Sequence, residues 1–214
     1  SDFGFAIGPR LNAAGRLDDM SLGIECLLTD DMNRALDIAT QLDAFNRDRR
    51  SIEQGMQQEA LALLAKFEAD DHNPVGVCLF QPDWHQGVIG ILASRIKDKL
   101  FRPVIAFAAD DNGVLKGSAR SIPGLHIRDV IDEVDKRHPG LIKKFGGHAM
   151  AAGMTLNDGA FDAFSRAFDW VCQAHLSSEQ LHQTIESSFN SVFKTILHIW
   201  DAEYIWLQRM QGNR

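Results

Sequence analysis

Residues 75–109 read "VGVCLFQPDWHQGVIGILASRIKDKLFRPVIAFAA". The opening "VGVCLF" is a short apolar run without charge, the pattern of a buried strand. "GVIGILASRIKDKL" returns apolar residues at three- and four-residue spacings, the pattern of a helix. "PVIAFAA" is a second buried strand. Strands alternating with helices imply an α/β sheet with helices packed on it. The pattern continues downstream. "DDNG" at 110–113 is a hairpin turn signal, and "VLKGSARS" is a third strand. "LHIRDVIDEVDKRH" is a helix ended by Pro139-Gly140. "AAGMTL" at 151–156 is a fourth strand. Asp158 then caps "GAFDAFSRAFDWVCQAH", a helix with its phenylalanines on one face.

Upstream of Val75 the pattern differs. Residues 3–20 are punctuated by glycines and a proline and read as a loop-rich segment. Ser21 opens a short helical stretch, "SLGIECLL", with its hydroxyl placed to cap the first turn. From Asp31 to Ala69 apolar residues recur at helical spacing with no proline, and Asn46 and Gly55 are the weak points. Unbroken, such a helix reaches roughly 55–60 Å. That length suits a spacer joining two domains better than a simple helical hairpin, because "DHNP" and a new pattern follow at once. There is no internal repeat and no low-complexity tract.

The 214 residues are 45% hydrophobic, enough for one large domain or two small ones. No run of about 18 apolar residues exists, so no membrane span is expected. The opening "SDFGFAIGPR" lacks the basic and apolar regions of a signal peptide and begins without methionine, so the chain is expected to continue upstream. Cys26, Cys78 and Cys172 are odd in number and far apart. They read as three buried thiols in a reducing cytoplasm, not as a disulfide or zinc framework.

Net charge is −7, which argues against a nucleic-acid partner when taken alone. Its distribution argues the other way. Residues 3–16 carry Arg10 and Arg16 and no acid. Residues 114–128 carry Lys116, Arg120 and Arg128 and no acid. Residues 136–157 carry four basic residues and no acid. The local field at a cleft matters more to an anion than the total charge.

Four stretches carry chemistry. In "GPRLNAAGRLDD" (8–19) small residues let a ligand approach backbone, while Arg10, Asn12 and Arg16 offer donors. A tight turn with solvated arginines is an equal alternative. In "PDWHQGVIGILASR" (82–95) His85 precedes a helix start opened by Gly87 and Gly90, which suits an anion. The bland reading is a histidine bonding to backbone at a cap. In "KGSARS" (116–121) Lys116, Ser118 and Arg120 share one strand face and form a plausible phosphate clamp, or simply the polar face of a half-buried strand. In "KKFGGHAMAAGMTL" (143–156) Gly146 and Gly147 bare their backbone beside Lys143, Lys144 and His148. Ala151, Ala152 and Gly153 leave further room. Close packing of a turn is the alternative. There is no HExxH, no HxE with CxxC and no DxD pair, so phosphate-binding character comes without a site for an activating metal.

Taken together, "GPRLNAAGRLDD", "WHQGVIGILASRIK", "RPVIAFA", "LKGSARSIPGLHIRD" and "FGGHAMAAG" closely resemble the bacterial RecJ single-stranded-DNA exonucleases of the DHH phosphoesterase superfamily, over roughly residues 3–172. The resemblance implies that residues 1–28 are the tail of a DHH domain, 29–70 a long connecting helix, and 75–172 a DHHA1 domain with a mixed sheet flanked by helices. It implies 5′→3′ hydrolysis of single-stranded DNA in recombination and repair. The two Mn²⁺ or Mg²⁺ ions would be held by upstream motifs, and none by this chain. It implies that Arg10, Asn12, Arg16, His85, Arg95, Lys116, Ser118, Arg120, Lys144, Gly146 and Gly147 bind substrate and that His148 is catalytic. Ser118 and Arg120 match the segment suited to a 5′-phosphate. Single-stranded DNA is the implied partner, with a single-strand-binding protein or a helicase beside it, in the cytoplasm. Two rivals remain. One is another DHH/DHHA1 phosphodiesterase, acting on short oligonucleotides or cyclic dinucleotides. The other is a non-catalytic nucleic-acid-binding module. Residues 173–214 depart from the family, with no strand–turn rhythm, and no OB-fold function is read into them.

Overall fold

The computed structural model describes residues 3–69, 74–110 and 112–176. A π-helical turn, Phe3–Ile7, leads into α1 (Gly8–Leu17), followed by α2 (Ser21–Leu28) and α3 (Met32–Ala69). Then come β1 (Val77–Phe80), α4 (Ile89–Leu100), β2 (Val104–Ala109), β3 (Leu115–Arg120), α5 (Ile127–Arg137), β4 (Ile142–Gly147), β5 (Ala151–Leu156) and α6 (Phe161–His175).

The loop-rich reading of residues 3–20 is corrected. Pro9 stands in the first turn of α1, where its missing N–H costs nothing. Ala13 and Ala14 are fully buried, and Ala14 packs against Ile38 and Leu42 of α3. Their small side chains let two helices approach closely, and that contact outweighs the glycines on either side. The expected Ser21 cap is also corrected. Asp19 supplies it, accepting from both the N–H and the hydroxyl of Ser21 at 2.9 Å. Those two bonds, the backbone one first, hold the Asp19 carboxyl below its usual range.

Helix α3 runs its 38 residues without a break, about 57 Å at the standard rise. Gly55 does not interrupt it, and nothing packs within 4 Å of that position. Asn46 is buried and accepts from Arg49 Nη2 at 3.2 Å. The helix has two apolar patches. Ile38 and Leu42 pack with Ala14, Leu11 and Leu22. Met56, Ala60 and Leu64 pack with α4 and with β1 and β2.

The sheet has five strands in the order β1-β2-β3-β5-β4. β1 and β2 are parallel, as a strand–helix–strand unit requires, and all other pairs are antiparallel. Reading four strands misses β4, whose sequence "IKKFGG" has two lysines and two glycines and no apolar alternation. The sheet is α/β and mixed, as expected. One face of β1 and β2 (Val77, Leu79, Val104, Ala106, Ala108) is covered by α4 and the second half of α3. On the other face Phe107 meets Phe161 and Phe164 of α6 edge-on, at 5.5 and 5.8 Å between ring centroids. Gly117 lies opposite Phe107 in the ladder, and any Cβ there would overlap the Phe107 ring.

The three cysteines are free. Cys78 and Cys172 are buried, whereas Cys26 is only partly so, which corrects the expectation of three buried thiols. Among the described residues no helix is long and apolar enough to cross a membrane.

Candidate nucleic-acid interface

Helix α4 covers one face of β1 and β2 and reaches the edge of β3. On the same face β3, β5 and β4 carry the clamp and the glycines. Directly paired residues of antiparallel strands point to the same side, so the ladder can be read in ranks. The first rank is Lys116–Thr155–Lys144. The second is Ser118–Gly153–Gly146. The third begins Arg120–Ala151 and continues to His148, whose N–H donates to Ala151 O at 2.8 Å. Two stretches whose paired positions lie 28 residues apart in sequence are thereby joined through β5, in a three-strand shelf roughly 10 Å wide.

The floor of the shelf is bare. A Cβ built on Gly146 meets nothing within 4 Å, and one on Gly153 meets only Gly117 O at 4.0 Å. Gly147 is a different case. Its φ of +153° is closed to most side chains, and a Cβ would overlap Ala152. Gly147 therefore shapes the turn, and Gly146 leaves the space. His148 follows with an exposed side chain.

Arg120 stands where the shelf meets α4. Its Nε donates to Ser94 Oγ at 3.2 Å, and its Nη1 donates to Ser118 Oγ at 3.0 Å and Ala119 O at 2.8 Å. All three acceptors are neutral. Arg16 approaches from α1 and donates from Nη1 to Gly87 O at 3.2 Å. Gly87 cannot be anything larger, since a Cβ would overlap Arg16 O. Partial burial, and secondarily the nearby Arg16 guanidinium, lower the pKa of Arg120. Among the described residues neither guanidinium has an ion pair with a carboxylate. Two adjacent cations with no acid between them are a place for an anion.

The remaining candidate residues are placed differently. Arg10 donates to Asp43 of α3 from Nε at 2.8 Å and to Ala6 O from Nη1 at 2.7 Å. Arg95 donates to Glu53 of α3 at 3.2 Å. Both arginines thus already face a carboxylate. His85 Nδ1 accepts from Gly87 N–H at 3.1 Å, and His85 O accepts from Val88 and Ile89 at the entry of α4, which starts at Ile89 rather than Gly87. This is the backbone-bonding alternative. Asn12 is exposed on α1. Lys116 lies 3.4 Å from Asp110, which it helps to hold ionised, though the backbone N–H of Val114 does so more strongly. Reading the sequence alone misses Ser94 as a site residue, although it lies one helical turn beyond Gly90, a spacing that could have flagged it. Ala151 and Gly153, read from the sequence as leaving room, alternate as strand neighbours on the shelf face.

A protein-family model, the DHHA1 domain, matches residues 72–174. RecJ single-stranded-DNA-specific exonucleases of Dickeya dadantii and Escherichia coli are 55% and 54% identical over 87% and 84% of this chain. The chain belongs to the RecJ family. It spans 33% and 32% of the length of those two RecJ relatives. The crystal structure of RecJ with Mg²⁺ from Thermus thermophilus superposes with a TM-score of 0.69 at 30% identity, over 81% of this chain and 26% of that one. A manganese-bound RecJ structure superposes with a TM-score of 0.67 over 80% of this chain and 40% of that one, again at 30% identity. A second family model, the DinB family, matches residues 163–214, of which only 163–176 are described. The RecJ structures carry divalent metals. Among the described residues of this chain no group of three or more His, Cys, Asp or Glu could hold one, so the residues present do not fit a divalent metal.

Proposed function

We propose that this chain is the DNA-holding part of a 5′→3′ single-stranded-DNA exonuclease acting in cytoplasmic recombination and repair. The observation that carries the reading is the pairing of Arg16 and Arg120, without a carboxylate, at the edge of a glycine-floored shelf. A 5′-phosphate fits between the two guanidiniums, with Ser118 Oγ beside it. The sugar and base of the same nucleotide fit over Gly146 and Gly153, where a side chain would block them. Lys116 and Lys144, two ranks away, suit the following phosphates. Strand residues two apart are roughly 6.7 Å from one another, close to the spacing of phosphates along an extended single strand. His148 lies in the rank of Arg120 and is the shelf residue able to carry a proton to or from a reacting phosphate oxygen. In the whole protein, Mn²⁺ or Mg²⁺ would supply the activated water. A single-strand-binding protein or a helicase would present the substrate. Arg10 and Arg95 retain a substrate role in this reading only through charge left over from Asp43 and Glu53.

The test is Arg120→Ala in the full-length enzyme, assayed on 5′-phosphorylated and 5′-hydroxyl oligonucleotides. A lost charge-assisted contact is about 1.5–3 kcal/mol, roughly ten- to hundredfold. The loss should fall on the phosphorylated substrate. Equal losses on both would mean that Arg120 holds the backbone generally.

A further inference from the structure

Arg120 has five N–H groups, and the structure accounts for three. Nε–H goes to Ser94 Oγ, and both Nη1 hydrogens go to Ser118 Oγ and Ala119 O. The two hydrogens on Nη2 have no protein acceptor among the described residues. Nη2 lies against Gly90, where a built Cβ would stand 2.8 Å from it and 3.1 Å from Ser118 Oγ. Ser94 has its own constraint. Its hydroxyl donates to Gly90 O at 3.1 Å, so its one proton is committed and a lone pair is left for Arg120. Gly90 and Ser94 are four residues apart and hence on one face of α4. One supplies an acceptor that fixes the inner edge of the guanidinium. The other supplies the empty space in which the outer edge lies.

We propose that Gly90 and Ser94 are positioning residues for terminal-phosphate selection, holding Arg120 so that both Nη2 hydrogens are presented to a 5′-phosphate. The proposal rests on the reading of Arg120 as the phosphate ligand. Without Ser94 the guanidinium would keep its charge and lose its aim. With a methyl group at position 90 the same donor edge would be pushed off the helix.

Gly90→Ala separates this role from a structural one. Alanine is the better helix former, and the atom that must give way is the end of a flexible side chain. The variant should melt no lower than wild type. Binding of 5′-phosphorylated and 5′-hydroxyl oligothymidylate to the chain would be followed by fluorescence anisotropy. Gly90→Ala should cut the preference for the phosphorylated end roughly tenfold, and Ser94→Ala roughly three- to tenfold. Ser94→Thr should restore it. If Arg120→Ala abolishes the preference while Gly90→Ala and Ser94→Ala keep it, the positioning roles are overturned and Arg120 stands. If wild type and Arg120→Ala show the same absence of preference, the phosphate reading fails and takes this proposal with it.

Discussion

Gly146 and Gly147 are neighbours in sequence and make opposite demands. Gly147 needs its backbone angle and has no room for Cβ, so Gly147→Ala should cost about 2 kcal/mol and lower the melting temperature by roughly 4–8 °C. Gly146 has neither constraint. Gly146→Val should leave the melting temperature nearly unchanged and weaken single-stranded-DNA binding severalfold, because bulk would rise into the shelf. Calorimetry and an anisotropy titration on the two variants would show the crossover. If Gly146→Val binds DNA like wild type, the space above it does not hold a nucleotide. The doublet itself was legible as bare backbone in the sequence. Which glycine is structural was not, because φ and the approach of Ala152 are properties of a ladder that pairs β4 with β5. Arg10, Arg16 and Arg120 illustrate the same limit. In sequence all three are arginines in acid-poor stretches. Only the fold brings Asp43 to Arg10 and leaves Arg16 and Arg120 without a carboxylate.

At the scale of elements, strong periodicity decided what could be read. β1, α4, β2 and α6 follow from apolar runs or periodicity, β3 from the turn signal before it, and α3 from its length. α1 was hidden by its glycines, and β4 by its lysines, since an exposed strand face carries no alternation. Packing between elements sets two further expectations. Glu53 joins Arg49, at 2.8 Å, to Arg95 of α4, and Arg49 Nε is buried with no partner among the described residues. Glu53→Ala would leave the little-exposed Arg49 cation without its carboxylate, at about 3 kcal/mol, read as a lower denaturant midpoint. A midpoint unchanged within error would mean that water replaces the carboxylate. Burial also pushes the Cys78 and Cys172 thiols well above the ordinary range. Both should resist alkylation until the chain unfolds, while Cys26 reacts in the native state. The sign with pH follows. Above about 8.5 the unfolded thiols ionise and the folded ones do not, so the unfolded state holds fewer protons and stability falls as pH rises. The slope should be about 1.4 kcal/mol per pH unit for each thiol, measured by denaturant titrations in alkaline buffers. A flat profile, or alkylation of Cys78 in the native state, would contradict the burial.

For the whole molecule the question is what 214 residues spanning a third of their relatives can do unaided. A net charge of −7 repels DNA at long range, and the shelf must act against it. Arg16 with Arg120, and then Lys116 and Lys144, are enough for about three phosphates. On a single strand that gives a log–log salt slope near −2, or roughly fifteenfold weaker binding on going from about 50 to 200 mM salt. Binding should be micromolar or weaker and should lose its preference for a 5′-phosphate in Arg120→Ala. A slope near zero would show that the contacts are not ionic. Cutting is a separate matter. A lone imidazole such as His148 supplies about 10²–10⁴-fold as acid or base, while enzymatic phosphodiester hydrolysis demands many orders of magnitude more. The described residues offer no ligand cluster to make up the difference. The chain by itself should therefore hold labelled single-stranded DNA in the presence of Mn²⁺ without shortening it, whereas the full-length enzyme should release mononucleotides. Mononucleotides appearing with the isolated chain, above a chelator control and copurifying with it, would place the hydrolytic centre within these 214 residues and overturn the division of labour proposed for the shelf.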